Sequence, residues 1–338
     1  MYTLSQRLVF IALALAGGLL ILLMRQFLND YILSIAGFVG IYVILAVSLN
    51  ITNGFTGLFS LGHPAFMAIG GYTCAILTFP VQRKGYFLSG LPDWLAGTEL
   101  SFLPALLIGG LFAALASLLI GLPVLRLRGH YLAVATLGVI IIVQVLITNM
   151  GGITRGPLGL NGLPALTNLW WVYLWVLITV YLGWKLKFSS FGRSMLAIRE
   201  DEMAADCLGI NLLRTRVQAL MVGAFLAGVA GGLWAHLVTA ITPKSFSLIL
   251  AFTIVVMVVV GGSGSISGSL LAAVIFSMLT EAFRPLEENL NVYGIGEIVL
   301  SLILIIILIY RPIGLFGTSE PGWLSPGKRK SLKGTAGD

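Results

Sequence analysis

The chain has 338 residues, of which 58% are hydrophobic and only 10% are charged, and its mean hydropathy is +1.01. Soluble domains carry about 25% charged residues, so this composition excludes a soluble protein and predicts an integral membrane protein. The net charge of +7 fits an excess of basic residues facing the cytoplasm, so no nucleic-acid partner is predicted.

Long apolar stretches such as 217–234 and 298–310 do not alternate, which favours membrane helices over barrel strands. The predicted fold class is therefore all-α, a polytopic helical membrane protein with about ten transmembrane helices. The predicted spans are 8–24, 31–49, 64–80, 102–125, 130–149, 169–187, 216–241, 246–261, 268–284 and 293–310.

The distribution of positive charge predicts the orientation of the chain. Most of the 20 Lys and Arg residues fall on the side that holds both termini, which places both termini in the cytoplasm. Residues 1–316 form the predicted transmembrane domain, and 188–215 is its one sizeable cytosolic loop. Residues 317–338 are rich in Gly, Pro, Ser and Lys and are predicted to be a basic, disordered cytosolic tail near anionic lipid headgroups.

Two uncharged, glycine-rich stretches interrupt the apolar chain. The first reads "NGFTGLFSLGHPAF" from Asn53 to Phe66, and the second reads "GGSGSISGS" from Gly261 to Ser269. Cytosolic turns between spans usually carry Lys or Arg, and these stretches carry neither. Such pairs predict discontinuous helices, here near 53–63 and 261–268, that line a transport path. The alternative is two tight turns at the membrane surface that lack charge.

The candidate residues of the translocation path are polar or glycine. They are Asn53, Gly54, Thr56, Gly57, Ser60, Gly62, His63, Gly261, Gly262, Ser263, Gly264 and Ser265. The alternative is that His63 is a helix-cap or packing residue, and that the polar residues near it only cap a broken helix. No metal site is predicted, because His130 and His236 have no Cys or carboxylate at ligand spacing.

The motifs that are missing also restrict the function. No ionisable residue lies near the centre of a predicted span, which argues against a proton-coupled carrier. The sequence has no G-x-x-x-x-G-K-[ST] motif, so any ATP that drives transport must be hydrolysed by another chain. The G-x-S-x-G and H-E-x-x-H motifs are missing as well, and an enzyme is not predicted.

The cytosolic loop contains "FGRSMLAIREDEMAADCLGIN", from Phe191 to Asn211. Its small and apolar residues predict a short helix that Gly209 ends, with acidic residues suited to the helix N-terminus. A short charged helix along the cytosolic face could be a docking surface for a partner. The alternative is an amphipathic connector that binds nothing.

Five stretches in this order resemble the permease subunits of high-affinity branched-chain amino acid ABC transporters. They are "NGFTGLFSLGHPAFMAIGGY", "RGHYLAVATLG", "TRGPLGLNGLP", "GRSMLAIREDEMAADCLGIN" and "VVGGSGSISGSLLAA", and they span about residues 50 to 275. The longer of the two permease types, the M-type subunit, is the more similar.

The resemblance implies a bacterial inner-membrane importer in which this subunit pairs with a second, homologous permease. It implies two cytosolic ATPase subunits that bind ATP and Mg²⁺, no cofactor on this chain, and an extracytoplasmic binding protein that delivers Leu, Ile or Val. The loop then corresponds to the coupling helix, although Met203 interrupts the general importer pattern. The residues assigned to ATPase coupling are Arg199, Glu200, Asp201, Glu202, Ala204, Ala205 and Gly209, and those assigned to binding-protein docking are Arg155, Gly156, Pro157 and Asn161.

The sequence restricts the identity of the solute less than it restricts the family. Urea and short-chain amide importers have permeases of similar sequence, and a stand-alone secondary transporter or channel is the remaining rival class. The wording of the motifs favours branched-chain amino acids.

Overall fold

A computed structural model describes residues 4–127, 129–290, 294–311, 313–317 and 320. The described chain is almost entirely helical, as its apolar, non-alternating sequence requires. The long helices are α1 Leu4–Phe27, α2 Asp30–Leu49, α3 His63–Thr78, α6 Phe102–Val124, α7 His130–Asn149, α9 Leu169–Lys187, α12 Leu212–Val238, α13 Leu248–Gly261, α14 Ile266–Leu290 and α15 Ile295–Tyr310. The shorter helices are α4 Val81–Phe87, α5 Asp93–Ala96, α8 Gly151–Thr154, α10 Ser190–Glu200 and α11 Glu202–Cys207.

Short irregular elements complete the described chain. A π-helix at Asn50–Gly54 follows α2, and 3₁₀ turns occur at Gly156–Leu158 and Pro243–Ser245. Strands β1 Leu160–Asn161 and β2 Ala240–Ile241 form one antiparallel pair, in which Leu160 lies opposite Ile241. This pair ties the loop before α9 to the loop after α12.

The helical membrane fold is confirmed, but the predicted count of about ten spans is not matched. Seven helices of the described chain are long and apolar enough to cross a membrane, and there are eight if α3 and α4, bent by 118°, count as one span. The shortfall comes from length, because α3 and α15 have only 16 residues each, fewer than the roughly 20 that a transmembrane helix needs. The predicted span 8–24 falls on α1, of which the part Leu15–Phe27 counts as a shorter apolar helix.

Helices α3, α6 and α12 form the centre of the bundle and approach closely through glycines. A Cβ atom placed on Gly70 of α3 would lie 2.2 Å from the Cα of Gly228 on α12. One placed on Gly109 of α6 would lie 2.6 Å from the carbonyl oxygen of Gly70. Small residues allow this contact, and close backbone packing is a main source of helix association in membranes.

We expect Gly231→Ala to destabilise the bundle. Its Cβ would lie 2.0 Å from the carbonyl oxygen of Met67, so the added methyl must force α3 and α12 apart, at a cost of about 1–3 kcal/mol. The measurement is the melting temperature in detergent, followed by fluorescence-detected size exclusion. Gly138→Ala on α7 is the matched control, because its Cβ meets nothing within 4 Å. A Gly231→Ala protein that melts with the wild type would contradict this packing.

Candidate functional site

Two breaks in the helices form the candidate site. The first break consists of residues 57–62, between the extended end of α2 and the start of α3 at His63. The chain is still helical at Asn53, Gly54 and Thr56, because α2 continues through the wide π-turn of Asn50–Gly54. The predicted discontinuity at 53–63 is therefore shorter than expected. Single π-turns inside α-helices frequently occur at functional sites.

The second break consists of residues 262–265, between α13 and α14. Gly262 and Gly264 have φ angles of +111° and +99°, a backbone conformation that residues with a Cβ atom rarely adopt. Gly261 ends α13 so close to α14 that its Cβ would lie 2.4 Å from the carbonyl oxygen of Gly268. Residues 266–268 are already helical, so this discontinuity is also shorter than predicted.

Asn50, in the π-turn before the first break, bonds to the second break and to the start of α14. Its Nδ2 donates to the carbonyl oxygen of Ser265 and to Ser269 Oγ, both at 2.8 Å. Its Oδ1 accepts a hydrogen bond from the N–H of Gly264 at 2.7 Å. The side chain is completely buried, and the sequence prediction missed it. In the sequence, the sign of this role was a single amide residue at the end of the apolar stretch that forms α2.

Arg199 connects both breaks to α10. Its Nη1 donates to the carbonyl oxygen of Gly54 at 2.8 Å and to that of Ser263 at 2.9 Å. Gly57 has a φ of +72° and packs against Arg199, since its Cβ would lie 3.2 Å from the Arg199 Cα. The sequence assigned this arginine to ATPase coupling, but its guanidinium lies between the breaks.

The remaining polar residues of the first break bond mainly to the protein. His63 is buried, with its Nε2 2.7 Å from Ser48 Oγ. Asn53 Nδ2 donates to the carbonyl oxygen of Ser60 at 2.7 Å, whereas its buried Oδ1 has no hydrogen-bond partner among the described residues. The break is also tightly packed: the cavity beside Ser60 and Gly62 has a volume of about 20 Å³. This is room for about one water molecule and none for a solute.

The short helix α11 is fixed at both ends. Asp201 caps it by accepting hydrogen bonds from the N–H groups of Met203 and Ala204, and Gly209 follows it with a φ of +78°. Glu202 forms an ion pair with Arg216 of α12, and Ala205 is buried. Glu200 and Ala204 are exposed.

Two large apolar side chains are exposed at α11, beside the exposed carboxylates of Glu202 and Asp206. Met203 and Leu208 are 80% and 79% exposed. Met203 lies in the first turn of α11 and Leu208 directly follows its end, so the capped helix sets the position of both. A cleft of about 420 Å³ separates α11 from the first break and is lined in part by Gly57, Phe59 and Glu202.

The C-terminal segment contacts the second break. The N–H groups of Leu315 and Phe316 donate to the carbonyl oxygens of Val260 and Gly261. The Glu320 carboxylate accepts hydrogen bonds from the N–H groups at the start of α14, at 2.8 Å from Ile266 and 3.2 Å from Ser267.

Glu320 is also paired with Lys187 of α9 at 2.6 Å, and both side chains are more than nine-tenths buried. The sequence prediction included Glu320 in a disordered tail, and this residue is instead packed against α9 and α14. Residues 318–319 and 321–338 of the predicted tail lie outside the described part of the chain.

The residues predicted to dock the binding protein lie in a folded loop that follows the C-terminal end of α7. Arg155 has a φ of +62° and places its guanidinium 4.5 Å from the centre of the Phe87 ring. Gly156 is buried, whereas Pro157 and Asn161 are exposed. The pairing of β1 with β2 holds this loop in place. The described residues contain no cluster of three or more His, Cys, Asp or Glu that could hold a metal ion.

We expect Asn50→Leu to destabilise the protein, because it removes three hydrogen bonds and leaves the buried Gly264 N–H and Ser265 carbonyl without that partner. Each such group costs about 1–3 kcal/mol. The measurement is the melting temperature, together with the rate of proteolysis near residues 262–265. Asn149→Leu is the matched control, since Asn149 is exposed and bonds only within its own helix, to Val145. Equal melting of the two variants would contradict a central role for Asn50.

Comparisons with known proteins agree with this architecture. A family model described as "Branched-chain amino acid transport system / permease component" matches residues 31–309. The chain is 33% identical to the high-affinity branched-chain amino acid transport system permease protein LivM of Escherichia coli K12, over 83% of this chain and 69% of LivM. It is 24% identical to LivH of Salmonella typhimurium, over 82% of this chain and 92% of LivH.

One similar protein is named for a different solute. The nucleoside ABC transporter permease protein NupC of Lactococcus lactis is 24% identical, over 66% of this chain and 73% of NupC. No solved structure matches the chain. The family match covers most of the described helices and both breaks, and the chain belongs to the family of permease components of branched-chain amino acid transport systems.

Proposed function

We propose that the chain is a transmembrane permease subunit of an ATP-driven importer of Leu, Ile and Val. The observation that carries this proposal is that Arg199 packs against Gly57 of the first break and donates a hydrogen bond to the Ser263 carbonyl of the second. It joins the predicted ATPase-coupling segment to the two places where the membrane helices are discontinuous. The family match supports a permease, and the M-type resemblance supports branched-chain amino acids.

Transport proceeds by alternating access. ATP binding closes two partner ATPase subunits, which bind ATP and Mg²⁺ and move α11 with them. Through Arg199 this motion reaches Gly54 and Ser263, and the backbone around both breaks shifts. ATP on the partner supplies the difference in binding energy that a change of state requires. This chain itself catalyses no reaction and holds no cofactor.

The full assembly contains several other components. A second, homologous permease pairs with this chain, in keeping with the similarity to both LivM and LivH. A binding protein delivers the amino acid to the surface around Arg155, Gly156, Pro157 and Asn161. The assembly lies in the bacterial inner membrane with both termini in the cytoplasm. Polar groups of the path residues at the breaks face the solute as it crosses.

A different solute is the alternative function. NupC is 24% identical to this chain and is named for nucleosides, so similarity at this level includes a permease named for another solute. Urea and short-chain amides remain candidates. The deciding experiment is co-purification of the tagged chain from its native membrane, followed by reconstitution with its partners. ATP-dependent uptake of radiolabelled leucine, and not of urea, acetamide or adenosine, is expected. Transport by the lone chain without ATPase subunits would contradict the proposal.

We expect the double variant Met203→Glu and Leu208→Glu to lose its ATPase partners. Two exposed apolar side chains on a fixed helix form a docking surface, and burying two carboxylates there is unfavourable. The amount of ATPase that co-purifies should fall about tenfold or more, at unchanged expression and melting temperature. Tyr86→Glu, an 89% exposed aromatic on the predicted outer side, is the control. Normal co-purification of the double variant would rule out α11 as the docking element.

We expect Arg199→Gln to uncouple transport from hydrolysis. The shorter, neutral side chain cannot hold the carbonyl oxygens of both Gly54 and Ser263, so motion of α11 no longer reaches the breaks. Assembly and ATP hydrolysis should persist while leucine uptake per ATP hydrolysed falls about tenfold. Arg193→Gln on the same helix is the control, because Arg193 is exposed and bonds only to the nearby Phe188 carbonyl. Equal coupling ratios in the two variants would refute this role of Arg199.

A further inference from the structure

A polar cleft lies at the opposite end of the bundle from the two breaks. It has a volume of about 340 Å³ and is formed by α2, α12, α13 and α14. Its α14 residues extend from Ser277 to Arg284, and Glu281 lies 15 residues after the start of that helix, or roughly 22 Å along it. The predicted orientation places this cleft on the outer side of the membrane.

Helices α2, α13 and α14 each contribute one face to the cleft at helical spacing, and α12 contributes Trp234. The α2 and α13 faces are largely apolar, with Val39 and Met257 among their residues. The α14 face is polar and carries Ser277, Thr280 and Glu281. The volume falls within the range of about 300–1,000 Å³ that is typical of small-molecule sites. The α2 and α13 wall is therefore suited to an apolar group of a ligand, and the α14 wall is suited to groups that form hydrogen bonds.

The polar wall ends in a pair of opposite charges. Arg284 Nη1 lies 2.9 Å from Glu281 Oε1, and Tyr31 donates a hydrogen bond to the same oxygen at 2.9 Å. The Glu281 side chain is 22% exposed and that of Arg284 is 56% exposed, so both are accessible from the cleft. Ionisable residues on a membrane helix are costly, and they commonly mark a substrate path.

We propose that this cleft is a binding site for an amino-acid zwitterion. Glu281 binds the α-ammonium group, Arg284 binds the α-carboxylate, and the apolar wall around Val39 and Met257 receives the branched side chain. This inference rests on the proposed function, since it places the solute of that importer at a defined site. The Glu281–Arg284 pair is partly exposed and therefore weak, so the two charges of the ligand can replace it.

The charges favour this occupant over the other candidates. A lipid tail would use the apolar wall but would leave the two charges without a function. A helix of the second permease would have to bury the partly exposed Glu281–Arg284 pair, and burying an ion pair is costly. A free branched-chain amino acid carries both charges on groups bonded to the same carbon and has a short apolar side chain, and it matches all three features of the cleft.

The test uses the assembled transporter in nanodiscs and is carried out without the binding protein. Trp234 lines the cleft, so its emission reports occupancy when L-leucine is titrated, and Trp234→Phe identifies the signal. Leucinamide, which lacks the carboxylate, and 4-methylpentanoate, which lacks the ammonium group, are the comparison ligands. We expect L-leucine to bind at least about tenfold more tightly than either analogue, because each analogue loses one charge-assisted contact.

Variants separate the two charges. Arg284→Gln should remove the preference for L-leucine over leucinamide. Glu281→Gln should remove the preference for L-leucine over 4-methylpentanoate. Both should reduce ATP-driven leucine uptake about tenfold or more. Arg25→Gln and Asp93→Asn, exposed charges outside the cleft, are the controls and should change neither quantity.

Each other outcome has a distinct meaning. If the wild-type assembly transports leucine and both variants bind and transport normally, the cleft is not the solute site. If the variants lose the second permease on size exclusion, the cleft is a subunit interface, and the zwitterion site is overturned. If the wild-type assembly itself shows no ATP-driven leucine uptake, the proposed function fails, and it does so whatever the variants do.

Discussion

Non-helical backbone inside an apolar helical bundle needs hydrogen-bond partners, and the rest of this structure depends on how that need is met. A helix satisfies its own peptide groups, whereas each break leaves several without an intrahelical partner. An unsatisfied peptide group in a membrane interior costs several kcal/mol. The partners must therefore come from side chains, and each such side chain links a break to another part of the chain.

Three side chains supply these links at the breaks. Asn50 connects the end of α2 to the start of α14, Arg199 connects α10 to both breaks, and Glu320 connects the C-terminal segment to α14 and α9. The same bonds that satisfy the backbone also tie the second break to α10 and to the end of the helix before the first break. A displacement of α10 that separated Arg199 from one carbonyl would leave that carbonyl exposed to an apolar surrounding. The link between α10 and the two breaks is thus a consequence of backbone satisfaction.

The sequence could predict where the helices break and could not predict how the breaks are held. Uncharged glycine-rich stretches identify the positions of Gly57 and Gly262 because these features are local. The π-turn at Asn50–Gly54 keeps Asn53 and Thr56 helical, and it depends on contacts with α12 and α14 rather than on composition. The partners of Asn50 lie more than 210 residues away, and no local pattern reports them. Glu320 was placed in a disordered tail because its neighbours are polar and small, whereas its burial is determined by Lys187.

The Lys187–Glu320 pair restricts the way in which the second break can open. Both charges are buried, so separating them inside the protein would strand two charges at a cost of several kcal/mol. Moving them into water together would avoid that cost, but it would also take the carboxylate from the first N–H groups of α14. The least costly motion is one in which α9, the C-terminal segment and the start of α14 move as a unit. Because Leu315 and Phe316 bond to Val260 and Gly261, the end of α13 is tied to the same unit. The backbone freedom within the second break is greatest at Gly262 and Gly264, which therefore absorb any change there.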